Sequence, residues 1–268
     1  MKKQVALRGF TLVELSIVIV IIGFLVAGIA VGANMIKQSQ IRSVITDLQS
    51  YQSAYNSFVA KYNAVPGDML TASAFWPTLA VCATTATTDC NGNGDGIIQT
   101  TEVIPSDEVR PALKVLSLSG FISSGIQVVP AQGATTALSP GLNAPSSKLT
   151  GTGYFIAQGI TPSNTSATMP TSTATGFFTA ATNAVFFGKE DSAKIDNLVF
   201  SALAPQDAYG VDQKIDDGAS SGTNLTGANS GRLMAIDGAD VASGQCATTG
   251  VYLVTNTSEG CILGMALN

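Results

Sequence analysis

The chain has 268 residues, a net charge of −5, 46% apolar residues and only 12% charged ones. It contains no histidine, which excludes Ser-His-Asp and Cys-His catalysis, His-ligated zinc and a histidine pH switch. The acidic balance argues against nucleic acid as a general partner, and the four cysteines form no CxxC metal pattern.

The mean hydropathy of +0.31 is high for a soluble domain, and the apolar residues are concentrated near the start. Met1 to Gly9 reads MKKQVALRG, with Lys2, Lys3 and Arg8. From Leu15 to Ile36 no charge appears for about 22 residues, close to the length a bilayer-spanning helix needs. The basic residues precede this run, so the N-terminus is expected in the cytoplasm and everything after Ile36 outside. A secretory signal peptide would have a shorter apolar region followed by a small-x-small cut. No such site precedes Lys37, so the helix is expected to be retained. A plain signal anchor would satisfy the hydropathy alone.

Glu14 distinguishes the two readings. A carboxylate at the edge of an apolar run is costly unless paired, and a plain anchor gains nothing from it. Gly9-Phe10-Thr11-Leu12-Val13-Glu14, behind a basic leader and ahead of a spanning apolar run, resembles the cleavage and methylation motif of type IV prepilins. The resemblance implies that a membrane peptidase cuts after Gly9 on the cytoplasmic side and methylates Phe10. It also implies that Glu14 neutralises the new amine on a neighbouring subunit. At ~4 Å and an effective dielectric near 20 such a pair gains about 4 kcal/mol before desolvation. Its better-supported use is registry: one axial offset pairs both charges, and a head-to-tail contact that does not close gives a helical filament. Loss of Lys2, Lys3 and Arg8 leaves 10 basic and 18 acidic residues, a net of −8.

From Lys37 the pattern becomes amphipathic. Ile41, Val44, Leu48, Tyr51, Tyr55, Phe58 and Tyr62 recur at spacings of three and four, with Lys37, Arg42, Asp47, Gln49 and Lys61 on the other faces. The first proline is Pro66, so one helix is expected over 10–62, on the order of 80 Å long. Residues 10–36 would form the transmembrane or filament-core part and 37–62 the amphipathic part. Many pilins resembling this chain carry a proline about twenty residues into that helix; here Gly23, Gly28 and Gly32 occupy the region, which can permit close helix packing. Val65-Pro66-Gly67-Asp68 is a turn signal. KYNAVPGDM with Phe75-Trp76 further resembles a widespread bacterial pilin-like subfamily.

Residues 91–102 read NGNGDGIIQTTE and follow the EF-hand loop template. Asn91, Asn93 and Asp95 fill positions one, three and five, and Gly96 takes the sharp turn. Ile97 would offer its carbonyl, Gln99 a water-bridged contact and Glu102 a bidentate carboxylate. Only the first position departs, with Asn for Asp. A second register from Asp89 puts Thr100 at the bidentate position and fits less well. The flanks lack a paired EF-hand, so the loop is a candidate for a lone calcium site. Its few charges predict modest affinity, near 10⁻⁴–10⁻³ M by order of magnitude.

Sequential pairing of the cysteines, Cys82–Cys90 and Cys246–Cys261, is the simplest of three connectivities and suits an oxidising compartment. The pilin resemblance favours the second pair, since such proteins often staple a C-terminal segment. A short helix is expected at Asp107–Leu118, ended by Gly120. Strands are expected at Gly153–Ala157, Ala184–Gly188, Leu198–Leu203, Arg232–Ile236, Gly250–Thr255 and Ile262–Ala266. The stretch 131–182 is rich in Thr, Ser, Ala, Gly and Pro and reads as loops and short strands. Asp207, Asp212, Asp216 and Asp217 crowd together, and such a cluster more often caps helices and faces solvent than binds a cation.

The expected fold is α+β: a long N-terminal helix packed against an antiparallel sheet, with a disulfide-stapled C-terminal region. The leader is 1–9 and the head 63–268. No nucleophile–base constellation appears, so the chain is read as a structural protein, not an enzyme. The resemblance implies a homo-oligomeric helical filament, with a prepilin peptidase, an assembly ATPase and an inner-membrane platform as partners. It places the chain in a bacterial inner membrane before assembly and in a surface pilus or periplasmic pseudopilus afterwards. A pseudopilin of a type II secretion machine, or a minor pilin for adhesion or DNA uptake, is the alternative reading.

Overall fold

In a computed structural model of the chain, the residues described are 11–77, 91–99, 108–123, 126, 138–159, 178, 182–190, 198–216, 218, 220–221, 224–225, 228–238, 240–241 and 244–267. Cys82 and Cys90 lie outside them. Helix α1 spans Leu12–Tyr62 without a break. The chain divides into two compact units, 1–41 and 42–268.

In the first unit α1 begins at Leu12 and carries its apolar residues on the outside. Leu12, Phe24 and Ile29 are among the most exposed. The helix is long and apolar enough to cross a membrane.

In the second unit the heptad-like stripe is buried as its spacing predicts: Val44, Leu48, Tyr51, Tyr55 and Phe58 all face inward. The helix does not run into the Pro66 turn. It stops at Asn63, which takes a left-handed φ of 48° and returns its N–H to the Val59 carbonyl, a common use of Asn after a helix. Pro66 and Gly67 (φ 90°) then make a tight turn closed by the Asp68 N–H on the Val65 carbonyl. A short helix α2 (Ala72–Phe75) follows. Phe58, Tyr62, Phe75, Trp76 and Phe121 form one aromatic cluster, with neighbouring ring centroids 4.6–6.2 Å apart.

Helix α3 (Val109–Leu118) carries Pro111 in its first turn, where no N–H is needed. It ends as the sequence predicts: Gly120 adopts φ 78°, the Phe121 N–H returns to Leu116 and the Gly120 N–H to Ser117.

The main sheet is antiparallel with order β1-β2-β8-β5. Its strands are β1 (Thr152–Gln158), β2 (Asn183–Lys189), β5 (Leu233–Asp237) and β8 (Cys261–Ala266). Tyr154 pairs with Phe187 and Phe155 with Phe186 across β1 and β2. These pairs point to opposite faces by strand alternation, yet all four rings are buried. The 42–62 stretch of α1 covers the Tyr154 face: the Tyr51 and Tyr154 ring centroids are 5.0 Å apart, and the Tyr154 hydroxyl donates to Asp47 at 2.8 Å. Helix α4 (Pro205–Ile215) packs against β5 and β8. Two-residue ladders complete the head: β3 (Ser220–Ser221) with β4 (Asn224–Leu225), and β6 (Ala247–Thr248) with β7 (Val251–Tyr252). The fold is thus α+β, as expected.

Two expected strands are corrected. Leu198–Leu203 forms no strand; Phe200 bridges Lys189 and Leu203 bridges Cys261, one residue at each strand end. The segment crosses so closely that a Cβ at Gly188 would lie 1.9 Å from the Leu198 carbonyl oxygen. Gly250–Thr255 shrinks to Val251–Tyr252, because Thr249 and Gly250 both take positive φ to turn the hairpin and the chain leaves the ladder after Tyr252.

Cys246 and Cys261 form a disulfide with their Cα atoms 4.8 Å apart and a sequence separation of 15. A loop of that size contributes about 3 kcal/mol in the chain-entropy model. Replacing both with alanine is expected to lower head stability by about that amount. Urea titration of the full chain in detergent, read at the single Trp76, measures it.

Candidate functional site

Loop 91–99 is built around two buried carboxylates from elsewhere in the head. The Pro66-Gly67 turn delivers Asp68, and the residue preceding α3 delivers Glu108. Glycine is required for this approach: a Cβ at Gly67 would lie 2.4 Å from the Glu108 carbonyl oxygen, and one at Gly92 would lie 2.2 Å from the Asp68 Cα. Asp68 accepts the Gly94 N–H on Oδ1 at 2.5 Å and the Gly96 N–H on Oδ2 at 2.6 Å. Glu108 accepts the Asn93 N–H on Oε1 at 3.0 Å and the Gln99 N–H on Oε2 at 2.9 Å. The far side of the loop is tied to the sheet. The Ile98 N–H donates to Asn183 Oδ1 at 2.8 Å, and Asn183 Nδ2 donates to the Gly96 carbonyl and the Tyr55 hydroxyl oxygen.

Asp95 stands at the exposed rim. Its Oδ1 accepts the Ile97 N–H at 2.9 Å, and its Oδ2 accepts from the side-chain amides of Asn93 and Gln99. One carboxylate oxygen from each of Asp68, Asp95 and Glu108 lies within 4.8 Å of the other two. Among the described residues this is the one group of three or more acidic or thiol side chains so placed.

The sequence-derived ligand residues are thus distributed as follows. Asn93, Asp95 and Gln99 hydrogen-bond to one another at the rim. Asn91 Oδ1 accepts the Ser73 N–H at 2.9 Å, and Ile97 contributes its N–H to Asp95. Glu102 lies outside the described residues. Asp68 and Glu108 were not singled out as ligands. The Pro-Gly-Asp turn was a signal for the first; nothing in the local sequence marks the second. Among the described residues, Asp207, Asp212 and Asp216 form no such group. Asp212 is buried and accepts the Tyr252 hydroxyl at 2.8 Å, Asp216 accepts the N–H groups of Arg232 and Leu233, and Asp217 lies outside the described residues.

Burial and the neighbouring Asp68 outweigh the two backbone donors and raise the Glu108 carboxyl from the ordinary 4.5 to about 7. A cation beside these carboxylates would favour the ionised form of Glu108. The donors are hard oxygens, the kind that hold a divalent cation such as calcium.

The second region of interest is the start of α1. Gly9 and Phe10 lie outside the described residues. Thr11 is the N-cap: the Leu15 N–H donates to its carbonyl at 3.1 Å and the Glu14 N–H to its Oγ1 at 3.2 Å. Glu14 Oε2 in return accepts the Thr11 N–H at 2.8 Å and the Thr11 hydroxyl at 2.9 Å, which is a reciprocal capping box. Ser16 also bonds within the helix, donating to the Val13 carbonyl at 2.8 Å. A model of the prokaryotic N-terminal methylation motif matches residues 7–30. The chain carries the N-terminal signature of type IV pilins and pseudopilins. That signature implies a prepilin peptidase and filament assembly in general and fits membrane anchoring before assembly. Comparisons with curated proteins and with solved structures found no match.

The raised Glu108 carboxyl sets a pH dependence for the head. The folded state holds a proton there that the unfolded state releases, so the contribution is full below pH 4.5 and declines as pH rises to about 7. In chelator, thermal unfolding of the protein is expected to show this fall between pH 5 and roughly 7.5, and Glu108→Gln is expected to flatten it.

Proposed function

We propose that the chain is the structural subunit of a type IV pilus-like filament, cut after Gly9, methylated at Phe10 and held in register by Glu14. The observation that carries the reading is the methylation motif over 7–30 coinciding with a helix whose apolar surface is exposed along that same stretch. In this reading the exposed side chains are covered first by lipid and then by the α1 helices of other copies. Gly28-x-x-x-Gly32 supports close helix approach; within the chain, a Cβ at either glycine would meet nothing within 4 Å. A pilus subunit is preferred to a type II secretion pseudopilin because the head is large and rich in uncharged Thr, Ser and Ala. The assembly ATPase, the inner-membrane platform and the surface location belong to this proposal.

Mass spectrometry and microscopy of filaments sheared from producing cells test it. The expected result is a dominant component beginning at methylated Phe10. The processed chain confined to the membrane fraction, with secretion lost on deletion, would instead make it a pseudopilin. Glu14→Ala is expected to insert and be processed normally but to yield no filaments; normal assembly by that variant would overturn the registry role.

The cluster of Asp68, Asp95 and Glu108 supports a second element, a calcium ion at loop 91–99. A site of this type would have a Kd on the order of 10⁻⁴–10⁻³ M. At a tenfold excess over Kd, calcium would stabilise the head by about 1.4 kcal/mol. Thermal unfolding with and without calcium measures this, and Asp68→Asn is expected to abolish the shift.

A further inference from the structure

A cavity of about 490 Å³ opens on the head between α1 and two loops, and no residue of loop 91–99 lines it. Its walls are fixed by backbone bonds. Asp47, Ser50 and Tyr51 stand about one turn apart on α1. Residues 120–123 follow α3, where the Phe121 and Ile122 N–H groups both return to the Leu116 carbonyl. Residues 145–148 are tied to β1, with the Tyr154 N–H on the Pro145 carbonyl and the Ser147 N–H on the Thr152 carbonyl. A cavity built this way is preformed, and a ligand is spared the cost of ordering its walls.

Asp47 is held in place within it. The Tyr154 hydroxyl donates to Asp47 Oδ2 at 2.8 Å, and the Ser147 side chain is hydrogen-bonded to the same hydroxyl. Burial, reinforced by Asp47, raises Tyr154 well above the ordinary phenol value, so its hydroxyl keeps the proton it donates. That bond uses one oxygen of a group that has two and can accept several bonds. The rest of the lining is mixed. Tyr51 and Phe121 bring aromatic rings, Ser50 and Ser123 are exposed hydroxyls, and Lys148 sets one positive charge against the one negative charge of Asp47. Such a wall does not select a ligand by net charge.

We propose that this cavity binds a neutral saccharide, with Asp47 accepting its hydroxyls and Phe121 covering a C–H face of the ring. A sugar ring carries O–H donors and acceptors around its edge and C–H groups on its faces. A pre-oriented carboxylate, serine hydroxyls and an aromatic wall match that pattern. The volume lies within the roughly 300–1,000 Å³ of small-ligand pockets, and the site does not depend on filament assembly or on a cation at loop 91–99.

Titration calorimetry and saturation-transfer NMR on the full chain test it, in a phosphocholine detergent that carries no sugar of its own. The probes are lactose, maltose and N,N′-diacetylchitobiose, with N-acetylneuraminate as a charged comparison. Binding of at least one neutral probe is expected. Asp47→Asn keeps an acceptor for Tyr154 and removes the charge, and is expected to weaken that binding about tenfold or more. Ser50→Trp places a large ring at an exposed position of the wall and is expected to abolish it by filling the cavity. Circular dichroism of both variants checks that the head is folded. No binding of any neutral probe by the parent chain would overturn the proposal. Parent-level binding by Ser50→Trp would place the sugar elsewhere, and parent-level binding by Asp47→Asn would remove the carboxylate from recognition; either overturns it. Tighter binding of N-acetylneuraminate than of every neutral probe would overturn the neutral class.

Discussion

Water is a poor solvent for the first half of α1. Between Leu12 and Ile36, sixteen large apolar side chains are each more than half exposed. Full burial of one such side chain is worth about 1.5–3 kcal/mol, so the segment requires an apolar environment that the first unit does not itself provide. A helix is the form that tolerates this, because its backbone groups are satisfied within the segment. Three polar side chains at its start follow the same rule. Thr11 and Glu14 satisfy each other at the cap, and Ser16 bonds the Val13 carbonyl.

The head solves the opposite problem. Outside the main sheet, the described strand pairs β3–β4 and β6–β7 have ladders of only two residues. Its acidic side chains do much of the ordering instead. Asp68 and Glu108 gather the N–H groups of loop 91–99. Asp216 holds the turn into β5, and Asp237 accepts the N–H groups of Gly244 and Cys246 beside the disulfide. Asp240 binds both the N–H and the hydroxyl of Ser201. A carboxyl group offers two acceptor oxygens and so can gather more than one N–H. A chain with only 12% charged residues therefore uses part of its acidic complement as internal fasteners for loops.

Local patterns were legible where they act locally. The three–four spacing from Val44 to Phe58 placed the buried stripe of α1, Gly120 marked the end of α3, and alternating or continuous apolar runs located β1, β2, β5 and β8 to within a residue or two. The Cys246–Cys261 pair followed from sequential pairing and from the pilin resemblance. Long-range choices were not legible. Leu198–Leu203 has strand composition, but its backbone bonds go to single residues at two strand ends, which no local pattern encodes. Helix α1 ends at Tyr62 as expected, with the left-handed Asn63 supplying the stop ahead of the proline. Loop 91–99 could be recognised from its own residues, whereas Glu108 reaches it through the tertiary fold and leaves no spacing signal.

On the proposed reading, Glu14 and the Asp68–Glu108 pair share one electrostatic problem, met with different partners. A carboxylate removed from water needs hydrogen-bond donors and a counter-charge, and donors are easier to supply from within a chain. Both places have donors: Thr11 for Glu14, and four loop N–H groups for Asp68 and Glu108. Donors alone do not neutralise charge. At Glu108 the deficit is met by holding a proton to unusually high pH, and on the proposed reading a cation would replace that proton. At Glu14 the proposed partner is the ammonium of another subunit, which exists only after cleavage. On this view assembly waits on processing for an electrostatic reason: before the cut, the Phe10 nitrogen is an amide and carries no charge to place opposite Glu14.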